Sequence, residues 1–262
     1  MRRIAVLSLF ICCLSFFSFA QGAANPVSDD AADFGKGVKF LQQNNLWEAI
    51  SSFKACVKNN PDDYTACYNI AGAYFTLGNY EDAVTWYRQT VTIDPKHVNA
   101  RIGMGMALRA LFKHDEAVKV LREAAEIEPD NVLVMTELAM AYYGLDDFVS
   151  SVLWYEKASQ ADPDNADTCY HLGLAYGRLY DYDKAIKAFR SAISIEKGFV
   201  EAYFSLGVTL AAQQRANAEK SGAKEDFLEA RGNLNMARAL YEKAGDNKNV
   251  ERVDDLLKNI DN

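Results

Sequence analysis

Residues 64–97, YTACYNIAGAYFTLGNYEDAVTWYRQTVTIDPKH, decide the fold, because the same pattern of residue types returns in 98–131, 132–165 and 166–199. Four of the chain's five prolines keep this spacing of 34: Pro61, Pro95, Pro129 and Pro163. Small residues recur with it: Ala49, Ala83, Ala117, Ser151 and Ala185. Bulky residues do the same: Phe53, Tyr87, Leu121, Tyr155 and Phe189. Such a period is typical of stacked helix pairs, which mostly bind other proteins and seldom catalyse reactions.

Each stretch of 34 residues divides into two helices, here called A and B. In 64–97 the pattern predicts helix A over 66–77, a turn at Gly78 and Asn79, and helix B over 80–93. Pro95 ends helix B, because proline lacks an amide donor and disfavours a helical residue before it.

Three further rows make the pattern specific. The eighth residue of each stretch is small: Ala71, Gly105, Ala139 and Gly173. The eleventh is large: Tyr74, Leu108, Tyr142 and Tyr176. The twentieth is small: Ala83, Ala117, Ser151 and Ala185. This pattern resembles the tetratricopeptide repeat (TPR), which implies an all-α, right-handed superhelical solenoid of about six helix-turn-helix units with a C-terminal capping helix.

The chain then divides into a signal peptide (1–20), a polar lead segment (21–32), the solenoid (33–245) and the capping helix (246–262). The units run over about 30–63, 64–97, 98–131, 132–165, 166–199 and 200–245. In the sixth unit helix B is delayed, so residues 213–226 form either a longer helix A or a loop.

The first twenty residues have the pattern of a secretory signal. Arg2 and Arg3 precede an uncharged apolar stretch that ends in small residues at Ser18 and Ala20. Basic, apolar and small segments in this order are typical of a cleaved signal peptide. We therefore expect export, in first place to a bacterial periplasm. The alternatives are a secreted form and an uncleaved anchor that tethers the protein to the membrane, although the apolar stretch is near the lower limit for a span.

The net charge and the potential catalytic or metal-binding residues argue against several classes of function. The formal net charge is −8, so the surface repels phosphate backbones and we expect no nucleic-acid partner. His97, His114 and His171 are widely spaced and do not form the tight pattern of a metal site. The chain has no nucleophile or phosphate-binding motif, and we expect neither enzymatic activity nor a cofactor.

Cys56 and Cys67 lie on helices that the turn between them makes antiparallel, so the two side chains are expected to face each other. Two interpretations stay open. A disulfide could form in an oxidising compartment, or both residues fill small core positions as thiols. Cys169 has no evident partner and is expected to be buried.

The resemblance to TPR proteins also implies a binding surface, since in that family the helices A line the inner face of the superhelix. The inner positions are Tyr68, Phe75, Ile102, Met106, Arg109, Leu133, Met140, Tyr143, Tyr170, Leu174, Arg178, Phe204 and Val208. We expect an exposed aromatic and aliphatic row, which usually marks an interaction site. It would take an apolar or aromatic segment, with an acidic group of the partner reaching Arg109 or Arg178.

Two functions follow from this surface. The first is an exported scaffold that holds a peptide or a partner protein in the concave face. The second is an assembly subunit of a cell-envelope complex that acts through self-association or membrane tethering. A stable homo-oligomer in solution would favour the second.

Overall fold

The structure, a computed structural model, describes residues 29–221 and 227–261 and forms thirteen α-helices over them, with no strand in that part of the chain. In order they are α1 (Asp29–Gln42), α2 (Leu46–Asn59), α3 (Tyr64–Thr76), α4 (Tyr80–Ile93), α5 (Val98–Ala110), α6 (His114–Ile127), α7 (Val132–Gly144), α8 (Phe148–Ala161), α9 (Ala166–Arg178), α10 (Tyr182–Ile195), α11 (Val200–Ser221), α12 (Leu228–Lys243) and α13 (Asn247–Asp261). Each helix packs on the next along the chain. The prediction of an all-α solenoid is confirmed.

The N-terminal predictions fall largely outside this description. The signal peptide and residues 21–28 of the lead segment lie outside the described residues. Helix α1 begins at Asp29, so residues 29–32, predicted as lead segment, are helical. No helix among the described residues has the length and apolar character needed to cross a membrane.

Within each of the first five pairs, one residue with positive φ reverses the chain. These residues are Asn44, Gly78, Phe112, Asp146 and Tyr180, with φ of 58°, 79°, 60°, 58° and 59°. The amide after this residue donates back to the end of helix A, as from Asn79 N to Tyr74 O at 2.9 Å. This left-handed closure satisfies carbonyls that the helix end leaves without partners. The A–B turns are therefore tight and alike.

Asp and Asn side chains begin many of the helices. Asp63 Oδ1 accepts a hydrogen bond from Ala66 N at 2.9 Å, and Asn165 Oδ1 accepts one from Thr168 N, also at 2.9 Å. Asp147 caps α8 in the same way. Each such cap stabilises its helix by about 1 kcal/mol. Much of the acidic charge near the turns therefore has a local structural role.

The first, third and fifth units place a glycine of helix A against a large side chain of helix B. A Cβ built on Gly105 would lie 2.6 Å from Leu121 Cγ, and one on Gly173 would lie 2.6 Å from a ring carbon of Phe189. The two helices of these units thus approach closely enough that any side chain at the glycine would overpack the contact. Gly37 faces Phe53 in the same way.

The second and fourth units pack differently. Their large residues are tyrosines that reach helix A of the following unit. A Cβ on Gly103 would lie 2.4 Å from Tyr87 Cζ, and the Tyr155 ring stacks on His171 with centroids 5.9 Å apart and planes 9° apart. Alanine occupies the small eighth position here, at Ala71 and Ala139. In these two units the large residue of helix B therefore also contacts the next unit.

The C-terminal end departs from the repeat. Helix α11 runs for 22 residues to Ser221, so residues 213–221 continue helix A. Helix α13 buries Val253 and Ile260 in the same apolar core as α12. It is joined to α12 through Gly245, whose φ of 72° resembles that of the A–B turns. The last helix is thus an integral layer of the stack.

Candidate partner-binding face

The inner positions predicted from the sequence lie on α3, α5, α7, α9 and α11, the helices A of successive units. Contacts between α3 and α5, α5 and α7, and α9 and α11 bring side chains of neighbouring units together on one face. We call this surface the A face.

Most of the predicted A-face residues are half-buried: Tyr68, Phe75, Arg109, Leu133, Met140, Tyr143, Tyr170, Leu174 and Phe204. Arg178 and Val208 are exposed. The expectation of exposure is wrong for Ile102 and Met106, whose exposed fractions are 0% and 7%. They form a small core with Val98, Ala124 and Val134, because α6 and α7 close over this side of α5. Ile102 and Met106 therefore hold the stack together and offer a partner little surface.

The tyrosines of the A face are held by other rings. Tyr68 lies 5.8 Å from Tyr87 and 4.9 Å from His97 between ring centroids. Tyr143, at a different inner position in the fourth unit, packs edge-on against Phe148 at 5.2 Å. Such contacts fix the orientation of an aromatic side chain while part of its surface stays in solvent.

Tyr170 lies between two phenylalanine rings. Its ring lies 5.0 Å from Phe199 and 5.9 Å from Phe189. Burial raises the pKa of its hydroxyl, and a hydrogen bond with Ser205 offsets part of that shift. Tyr170 therefore links α9 to α10 through Phe189 and to α11 through Ser205.

Both predicted arginines have a carboxylate partner within the protein. Arg109 Nε and Nη2 each lie 3.0 Å from Glu137 Oε2, and Glu137 is only 5% exposed. Arg178 Nη2 lies 3.2 Å from Asp146 Oδ1, and its guanidinium is 4.3 Å from the centre of the Phe148 ring. The Arg109 charge is thus compensated inside the stack, whereas the Arg178 pair is exposed to solvent.

Sequence reasoning missed a cleft at the end of the A face. Helices α11 and α13 enclose about 490 Å³. Its lining is Phe204, Val208, Lys248, Glu251, Arg252, Asp255, Leu256 and Asn259. The Arg252 guanidinium lies 4.6 Å from the centre of the Phe204 ring. The available signal was the spacing of Lys248, Arg252 and Leu256, which places them on one side of α13.

Two models of protein families match the sequence of this chain. The model described as "Psidin, N-terminal TPR repeats region" matches residues 75–257, and the tetratricopeptide repeat model matches residues 34–98. The chain is a TPR protein. Proteins of this family generally act as interaction scaffolds rather than as enzymes. No curated protein matches the TPR chain.

Solved TPR structures share the fold at low sequence identity. MamA (residues 41 to the end) from Desulfovibrio magneticus RS-1 is 22% identical, with a TM-score of 0.63 over 66% of this chain and 98% of that one. The C-terminal part of a TPR protein from Cytophaga hutchinsonii is 16% identical, with a TM-score of 0.66 over 81% and 80%. YrrB, described as having an unusual peptide-binding site, is 18% identical, with a TM-score of 0.57 over 72% and 91%. These likenesses describe the fold alone.

Cys56 and Cys67 are both buried thiols in the TPR stack. Cys56 Sγ donates to Ser52 O at 3.4 Å. Burial, with a smaller contribution from Asp63, raises the pKa of Cys67 to about 11. A thiol with a raised pKa is a poor nucleophile, which favours a core role for Cys67 in this structure. The disulfide between the two residues stays a prediction. Cys169 is also buried, as expected.

The described part of the TPR stack contains no group of three or more His, Cys, Asp or Glu side chains arranged to hold a metal ion. Two of the histidines have other roles. His97 Nδ1 accepts from Ala100 N at 3.1 Å and so caps α5, while His171 stacks on Tyr155. Burial lowers the pKa of both, so each is a neutral packing residue near pH 7.

Proposed function

We propose that this TPR protein is an exported, non-enzymatic scaffold that holds an apolar or aromatic segment of a partner protein along its A face. The observation that carries the proposal is the row of half-buried aromatic and aliphatic side chains on the helices A of four units. Tyr68 represents it in the second unit, Met140 and Tyr143 in the fourth, Leu174 in the fifth and Phe204 in the sixth. Rigid rings beside flexible methionine suit contact with a peptide, since they add contact area at low entropic cost.

The charges on this face favour an uncharged segment. Helices α3 and α7 contain one charged residue between them, Glu137, and Arg109 compensates it. Buried unpaired charge is costly, so an acidic side chain of the partner gains little at Arg109. Arg178 offers a different contact, because its side chain is 51% exposed and its pair with Asp146 is solvated. An acidic group next to the apolar segment would therefore bind at Arg178.

Site-specific cross-linking tests the A face. A photo-reactive phenylalanine analogue at Leu174 or Val208 is compared with one at Ile127 or Ile195, which end helices B. Val208, Ile127 and Ile195 are 38%, 38% and 39% exposed, so they differ in location and not in accessibility. We expect a defined adduct from Leu174 and Val208 alone when the protein is irradiated in its native cell envelope.

Adducts of the same mass from the control positions would overturn the assignment. Met106 is unsuitable for this test because it is buried, and replacing it would disturb folding instead. The alternative, an assembly subunit that acts by self-association, predicts a different outcome. The adduct would then be a dimer of the chain itself, and light scattering would report a stable oligomer.

Export is tested separately. The pattern of residues 1–20 supports cleavage after Ala20, so the mature chain should begin at Gln21. Mass spectrometry of the protein from its native host, together with fractionation of periplasm and membrane, distinguishes cleavage from an uncleaved tether. A full-length chain in the membrane fraction would contradict the proposed free form.

A further inference from the structure

Two aromatic residues occupy turn positions that folding does not explain. Phe112 and Tyr180 close the A–B turns of the third and fifth units with φ of 60° and 59°. Bulky side chains rarely adopt this left-handed backbone, which costs conformational energy that Asn, Asp or Gly avoid. Asn44 and Gly78 hold the same position in the first two units. Phe112 and Tyr180 are also 84% and 76% exposed.

Other exposed apolar side chains belong to the same end of the helix pairs. Val149 and Leu153, in the first two turns of α8, are 69% and 50% exposed, and Leu179 is 39% exposed. We call Phe112, Val149, Leu153, Leu179 and Tyr180 the turn edge. It covers the third, fourth and fifth units, and it lies at the ends of the helices rather than on the A face.

The rings of the turn edge have only light internal contacts. Phe112 meets His114 edge-on with centroids 6.2 Å apart, and Tyr180 meets Tyr182 in the same way at 6.3 Å. An edge-to-face contact covers only a small part of an aromatic ring, in keeping with the exposed fractions of 84% for Phe112 and 76% for Tyr180. Exposed apolar residues clustered in this way mark an interaction site more often than isolated ones do.

The charges around the turn edge indicate the charge of the partner. The acidic residues beside it are Asp115, Glu116, Asp146, Asp147, Asp181 and Asp183. The basic residues are Lys113, Arg178 and Lys184, of which Arg178 pairs with Asp146 and Lys184 with Asp181. The edge is therefore acidic, as is the whole chain at −8. Aromatic faces attract cations as well, through the negative charge density of the ring.

We propose that the turn edge binds a cationic segment of a partner protein, in which Arg or Lys residues alternate with apolar residues. The apolar side chains pack on Phe112 and Tyr180, and the cations face the carboxylates around them. A second copy of this chain fits poorly, because its own edge is equally acidic and like charges repel. An anionic membrane surface is disfavoured for the same reason.

The test uses two synthetic peptides and the purified chain. One peptide alternates Arg with Leu, and its matched control alternates Glu with Leu. Binding of each labelled peptide is measured by fluorescence anisotropy at low salt and at about 0.5 M salt, where exposed charges are largely screened. We expect the Arg-Leu peptide to bind, to weaken with salt, and to bind far more tightly than the Glu-Leu peptide.

Variants then locate the binding. Phe112→Asn with Tyr180→Asn should weaken binding by about tenfold or more, since aromatic anchors carry much of an interface's affinity. Ile127→Asn with Ile195→Asn, at the opposite ends of helices B, should leave it unchanged. Leu174→Ser with Val208→Ser should also leave it unchanged, which separates this edge from the A face.

Three outcomes would overturn the proposal. The first is unchanged affinity in the Phe112→Asn, Tyr180→Asn variant. The second is an equal loss in the Ile127→Asn, Ile195→Asn variant. The third is a fall in thermal stability of the turn-edge variant, because Asn accepts positive φ and the aromatic rings would then be serving the fold.

Discussion

The ion pair between Arg109 and Glu137 should be structural, and replacing Arg109 by Met tests this directly. Glu137 has a side-chain exposure of 7% and Arg109 of 24%, so removing the cation leaves a buried carboxylate without its partner. Breaking a buried pair in this way costs about 3–5 kcal/mol. Because about a quarter of the Arg109 side chain is solvated, we expect Arg109→Met to lower the free energy of unfolding by about 2–3 kcal/mol.

The chain supplies a matched control. Arg178→Met breaks the pair with Asp146, in which the side chains are 51% and 76% exposed. Exposed pairs contribute little, so the expected loss is below about 1 kcal/mol. A third variant, Arg109→Met with Glu137→Met, removes both charges and should return to within about 1 kcal/mol of wild type.

Urea denaturation followed by circular dichroism measures all three variants. A loss of 2–3 kcal/mol corresponds to a midpoint shift of about 1 M at the slopes usual for proteins. The reasoning is refuted if Arg109→Met and Arg178→Met shift the midpoint equally, or if the double variant is no more stable than Arg109→Met. Either result would mean that the Arg109–Glu137 pair does not stabilise the fold in the way that its burial implies.

Three further changes test the packing and the buried polar groups. Gly105→Ala should lower the free energy of unfolding by about 1–2 kcal/mol, because the new Cβ would lie 2.6 Å from Leu121 Cγ. Gly232 has open space around it, so Gly232→Ala should raise the free energy of unfolding by about 1 kcal/mol. A urea midpoint that rises for both variants would contradict the close approach at Gly105. Ser151→Ala should raise the free energy of unfolding by about 1 kcal/mol in the same assay, since Ser151 Oγ is buried without a hydrogen-bond partner among the described residues. A lower free energy of unfolding would show that the hydroxyl does form a hydrogen bond. Burial lowers the pKa of His171 from 6.5 to about 4, so the stability that its neutral form contributes is fully present above pH 6.5 and is lost as the pH falls towards 4. The free energy of unfolding should drop by about 2–3 kcal/mol over that range. If the free energy of unfolding of His171→Phe falls as steeply with pH, His171 is not the cause.

The repeat could be predicted from the sequence because its signals are local. Pro95 and Pro129 mark where helices end, and Asp63 begins one by capping its amides. The 34-residue spacing then implies that each unit packs as its neighbours do. The fold class follows from these residues without any knowledge of long-range contacts.

The candidate site could be predicted only in part. The A-face position of Tyr68 and Tyr143 followed from the repeat register, but the burial of Ile102 and Met106 did not. Equivalent positions in a repeat are equally exposed only if the neighbouring helices lie equally close to them. Helices α5 and α7 contact each other more extensively than the helices A of other neighbouring units do. The partner of Arg109 was also invisible, since Glu137 lies 28 residues along the chain.

The sequence by itself determined that this chain forms a stack of helix pairs, because helix ends, turns and small packing positions are set by residues near one another. Only the tertiary structure decided which side chains of that stack remain open to a partner. It buried Met106, paired Arg109 internally, placed Arg252 beside the ring of the half-buried Phe204, and left Phe112 in solvent. The physical reason is that exposure and charge compensation depend on how closely separate helices approach, and that distance is a property of the packed assembly of helices.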